Sequence, residues 1–200
     1  MLLAAQKITK AAQSDLQELL DEARKSDGET LLSLAVKNGD TPLVKLLCKH
    51  GANADRVLSN GRPLLELAAK HGSIESIRAL HAFGADVNRP RDDGTAASGS
   101  TPLIAACRTG NLEAAKALLD LGANATTNAS DGTSCCFVAA QGGFIDVIKE
   151  MHSRGADVVA KKRGGATPLF VSAQKGHTEV ARLLIELGAE VGAIHPTREQ

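Results

Sequence analysis

Cys135 and Cys136 stand side by side in SCCFVAAQGG, and with Cys48 and Cys107 they make four thiols that could ligate a metal or exchange electrons. Adjacent cysteines on a helix point in different directions, and no CxxC pair or neighbouring ligand accompanies them, so they read as small buried hydrophobes. Six histidines, His50, His71, His81, His152, His177 and His195, could act as bases or ligands, but none sits beside a nucleophile in sequence. The glycine cluster RGGATP at 163–168 could cradle a phosphate, yet it lacks the Lys-Ser/Thr ending of a phosphate loop and follows no strand. It reads as a turn. The expectation is a chain without catalytic residues, metal site or cofactor.

What does recur is a spacing. Gly51, Gly84, Gly122, Gly155 and Gly188 are each followed by alanine, at intervals of 33 residues apart from one of 38. Gly39, Gly72, Gly110, Gly143 and Gly176 stand 12 positions upstream of them. After each inner glycine comes a segment such as NLEAAKALLDL (111–121), whose Leu112, Ala115, Leu118 and Leu119 have amphipathic helical spacing. Before it lies a shorter helical segment such as TPLIAACRT (101–109). Thr101 and Thr167 can cap the first turn, the following proline suits the first helical position, and the inner glycine ends the helix. Small residues fill the middle of this helix: Ala35, Ala68, Ala69, Ala105, Ala106, Ala139, Ala140, Ser172 and Ala173. With only four phenylalanines and no Trp or Tyr, the core must be built from thin aliphatic layers. One such helical hairpin cannot bury its own apolar face, so copies must stack.

GATPLFVSAQKGHTEVARLLIELGAEV (165–191) resembles the ankyrin repeat, with TPL at 167–169, Phe170 where the family usually has His, then GH and LLIELGA. TPLIAACRTGNLEAAKALLDLGA (101–123) matches too. ETLLSLAVKNG has Leu31 in place of proline, RPLLELAAKHG is followed by GADVN, SCCFVAAQGG is the most divergent copy, and AAQSDLQELLDEA resembles a shortened capping unit. The resemblance implies an all-α helical-repeat fold, a solenoid of antiparallel helix pairs with projecting β-hairpin-like loops. It implies a single domain over 1–200: capping helices at 1–26, repeats at about 27–55, 56–88, 89–125, 126–157 and 158–190, and a tail at 191–200.

The resemblance further implies a protein-interaction module, a scaffold, adaptor or regulatory binder, that uses a concave groove of loop tips and first helices. In the family the two residues before each inner glycine commonly face that groove. Here they are Lys37 and Asn38, Lys70 and His71, Arg108 and Thr109, Gln141 and Gly142, Gln174 and Lys175, and the loops add Arg62 and the run Lys161, Lys162 and Arg163. Four of the five pairs contain Lys or Arg and none contains an acid, which points to an acidic segment of another protein. The bland reading is that helix C-termini favour Lys and Arg through the dipole, and Glu75, Glu113, Asp146 and Glu179 at the starts of second helices fit it. Nucleic-acid or anionic-ligand binding on the same stripe is the alternative. Zero net charge and the absence of Trp and Tyr stacking platforms count against it.

Two further carry-overs follow. His177 stands in the family's GH place, where an imidazole bridges loop backbone between repeats. Asn88, eight residues after Leu80 in LHAFGADVN, is in the setting where asparaginyl hydroxylation occurs in many animal ankyrin repeats, although turn hydrogen bonding is the favoured role. No apolar stretch approaches a membrane span, MLLAAQKITK has too short an apolar run for a secretory signal, and the cysteine spacing favours a reducing compartment; the expectation is cytoplasmic, with the nucleus admissible. The five extra residues within RPRDDGTAASGS (89–100) are either a specificity element or tolerated slack, and the small-residue content favours slack. Val180, Leu183, Leu184 and Ile185 keep the last repeat like an internal one, where a terminal repeat usually carries a polar face. A covering tail, self-association or partner contact, or membership of a longer chain would each account for that.

Overall fold

A computed structural model describes residues 29–95 and 98–192; the expected capping unit at 1–26, His195 and the rest of the tail from 193 onward lie outside the described residues. Among the described residues ten helices follow one another: α1 (Leu31–Lys37), α2 (Thr41–Lys49), α3 (Leu64–His71), α4 (Ile74–Ala82), α5 (Pro102–Arg108), α6 (Leu112–Asp120), α7 (Cys135–Gly142), α8 (Ile145–Ser153), α9 (Pro168–Gln174) and α10 (Thr178–Glu186). None is long enough to persist alone in water, so packing holds them. Each odd-numbered helix packs on the even-numbered one that follows. The hairpins then stack, α1, α3, α5, α7 and α9 forming one row and α2, α4, α6, α8 and α10 the other. This is the all-α helical repeat that the spacing predicts.

Local chemistry sets the boundaries. Thr30, Thr101, Ser134 and Thr167 cap α1, α5, α7 and α9 by accepting the N–H three residues on, at 3.1, 3.4, 3.1 and 3.1 Å. In α3 that place belongs to Pro63, which caps nothing. The core runs unbroken through the stack, with Val36, Ile77, Leu80, Ile104, Leu118, Ile148 and Leu184 fully buried at the interfaces between layers. All four cysteines are reduced and buried. A hydrogen bond to Cys135 and burial push the Cys107 thiol well up, and burial pushes Cys136 up to about 12, so neither offers a thiolate near neutrality.

In the third, fourth and fifth layers the residue after the inner glycine reaches the previous layer. Phe144 lies over Gly110, and Asn111 reaches back to donate to the Lys70 carbonyl at 2.9 Å. His177 Nε2 meets the Gln141 carbonyl at 3.2 Å, the bridging role implied for it. On the other side the loops are narrow hairpins. Leu58 donates to Arg62, Arg91 to Ser100, Ala129 to Thr133 and Lys162 to Ala166, at 2.8 to 2.9 Å. Their tips are stitched together by Asp92 N–H to the Gly61 carbonyl at 2.9 Å, Ser130 to Ser98 at 2.9 Å and Arg163 to Asp131 at 2.6 Å. The stitches at Asp92 and at Ser98 hold the same register on either side of the lengthened part of the loop.

Candidate functional site

The row of first helices and the hairpin loops beside it carry the residues expected to line a groove. Lys37, Asn38, Lys70, His71, Arg108, Gln141, Gly142, Gln174 and Lys175 are exposed along it, and Thr109 and Arg62 are half-buried. These residues are not equivalent. Lys37 is neutralised by Glu29 at 3.0 Å. Lys162 is held by Asp131 at 3.0 Å and lies 5.6 Å from the Phe137 ring centre, while Arg163 donates to the Ser130 carbonyl at 3.2 Å, so both are tied into the loops. Lys70, Arg108 and Lys175 are exposed and make no ion pair among the described residues.

Two cavities open along this row. One, of about 420 Å³, lies between the first two hairpins and is lined by Lys37, Asn60, Arg62, Lys70 and His71 together with Glu29. The next, of about 240 Å³, is lined by Arg62, Glu66, Lys70, Arg91, Arg108 and Thr109 with Ser100 and Ala105. Arg62 and Lys70 serve both. The structure therefore concentrates the basic residues at the second and third layers, where the sequence pattern spreads them evenly.

Glu66 is the residue the sequence reading missed. It is 4% exposed on the first turn of α3, where the equivalent positions hold Ile104, Phe137 and Phe170. In a capping box the third helical residue accepts the N-cap N–H, as Ser33 does from Thr30 at 2.8 Å. Pro63 has no N–H to give. Glu66 Oε1 instead approaches Arg62 Nε at 3.2 Å, and its Oε2 is buried with no hydrogen-bond partner. Glu66 is the one carboxylate among five equivalent positions, which otherwise hold Ser33, Ile104, Phe137 and Phe170, and that was a signal readable in the aligned copies.

Burial pushes the Glu66 carboxyl above the ordinary carboxylate range; Arg62, Arg91 and Arg108 pull it back without cancelling the rise. A folded-state pKa above the unfolded value means that the native state holds the proton more tightly. Stability is then fully present below the unfolded value of about 4.3 and falls as pH rises through the native one. Urea titrations across mildly acidic pH should show this decline in the wild type and its loss in Glu66→Gln; parallel profiles for the two proteins would refute it.

Arg91 and Asp93, an ion pair in the lengthened loop, were also missed. Arg91 lines the second cavity, and its N–H closes the hairpin onto Ser100. Asn88 sits elsewhere, on the turn between layers. Its Nδ2 donates to the Gly122 carbonyl at 3.1 Å and its Oδ1 accepts the Asn124 N–H at 2.9 Å, the turn bonding expected of it. At the last hairpin Val180 and Leu184 are buried, while Phe170 and Ile185 remain 38% and 45% exposed.

Among the described residues no group of three or more His, Cys, Asp or Glu side chains gathers to hold a metal, and no helix is long and apolar enough to cross a membrane. The second cavity gathers four cationic side chains around the buried Glu66 carboxylate. A family model described as "Ankyrin repeats (3 copies)" matches residues 1–91 and 121–195, and one described as "Ankyrin repeats (many copies)" matches 65–119. No curated protein matches the chain.

Proposed function

The chain belongs to the ankyrin-repeat family, whose repeats generally bind other proteins, and we propose that it is a non-catalytic interaction module, a scaffold, adaptor or regulatory binder in a reducing compartment, that takes an acidic segment of its partner into the groove. The observation that carries this reading is the convergence of Arg62, Lys70, Arg91 and Arg108 on one cavity, with Lys70 and Arg108 exposed and unpaired. Helix dipoles account for a basic residue at the end of a first helix. They do not account for Arg62 and Arg91, which come from loops of two successive layers.

Stacked layers suit this task. Each contributes one helix end and one loop to a continuous surface, so an extended partner touches several layers at once. The partner's charge would set the encounter rate and its register along the groove.

Replacing Lys70, Arg108 and Lys175 together by Glu should abolish capture of partner protein from a cell lysate. The melting temperature should stay nearly unchanged, because all three side chains are exposed. Capture of the same proteins by the wild type and the triple variant would reject the basic groove. Retention of duplex DNA by the wild type at physiological salt would favour nucleic acid instead.

A further inference from the structure

We propose that the cavity between α3 and α5 is a seat for a single carboxylate side chain of the partner, and that Glu66 is its resident competitor. This rests on the groove reading and names the place and chemistry at its centre. Four cations, Arg62, Lys70, Arg91 and Arg108, face a space of about 240 Å³, enough for an Asp or Glu side chain. Two carboxylates answer them. Asp93 is occupied by Arg91 and by Thr95, whose N–H and hydroxyl reach it at 3.1 and 2.7 Å. Glu66 spends one oxygen on Arg62 and leaves the other buried without a donor.

That leaves the cations in excess. Guanidinium groups carry five donors each in a planar fork suited to a carboxylate, and Arg108 and Lys70 make no ion pair at the open side. Capping gives no reason for a carboxylate at Glu66: the equivalent Ser33 accepts the N-cap N–H, which Pro63 lacks, and the equivalent Ile104 and Phe137 are buried apolar side chains. A carboxylate buried with an unsatisfied oxygen is costly, and the surrounding cations offset part of that cost. Glu66 thus holds the arginines in place between binding events and repels a second carboxylate when one arrives. Neutralising it removes the repulsion and frees Arg62 for the incoming group.

The test uses the full chain and a fluorescent hexaglutamate peptide, with binding read by anisotropy at low salt. Glu66→Gln should tighten binding by about tenfold, the effect of removing one charge several ångströms from another in a partly screened site. Glu66→Ile, which copies Ile104, should tighten it similarly and guards against an effect peculiar to the amide. Arg108→Gln and Arg91→Gln should each weaken binding by about tenfold. Lys149→Gln, on the other row of helices, should change nothing. Unchanged or weaker binding by both Glu66 variants overturns the seat, as does an absence of peptide binding by wild type and Glu66→Gln alike. A loss on Lys175→Gln equal to that on Arg108→Gln, with no gain at Glu66, would keep the groove and remove the seat.

Discussion

Gly110→Ala should lower stability by about 3 kcal/mol, in two separable parts. Gly110 has a φ of +72°, where an L side chain is strained, and an added Cβ would lie 2.6 Å from the Phe144 ring. The backbone part is about 1–2 kcal/mol and the steric part a similar amount. Gly122 isolates the first, because its φ is +94° and nothing lies within 4 Å of the added atom. Urea denaturation should therefore show Gly122→Ala losing only the backbone share, and trimming the ring in Gly110→Ala/Phe144→Leu should recover part of the difference. Equal losses at the two glycines would mean that the ring contact joining the third and fourth layers contributes nothing.

Leu118→Ala should cost about 3 kcal/mol, within the range for cavities left by a buried leucine. Leu118 is fully buried in α6, which packs against α4 on one side and α8 on the other. In a compact core such a loss lowers the midpoint of a single transition. Here each layer touches only its neighbours, so a weak middle layer also uncouples the two ends. Circular dichroism in urea should show the transition broadening or splitting into two steps. A single sharp transition, merely shifted, would show that coupling through the loops and first helices suffices to hold the layers together.

The basic stripe was legible because it sits at fixed offsets from glycines. Lys70 and Arg108 occupy equivalent places before Gly72 and Gly110, and the structure leaves both exposed and unpaired. Their partners were not legible. Lys37 is silenced by Glu29, eight residues away, and Lys162 by Asp131 in the previous loop. Arg91 was hidden because the loop that carries it departs from the period.

The sequence by itself determined the unit and its repetition. Capping hydroxyls, inner glycines and the apolar spacing of second helices are local signals, each acting within a turn or two of chain. Only the tertiary structure decided which charges survive as free charge. Stacking brings Glu66 of α3 together with Arg62 beside it, Arg91 of the next loop and Arg108 of the next helix. Ion pairing and burial depend on distances across layers, and those are set by packing between copies rather than by the order of residues within one.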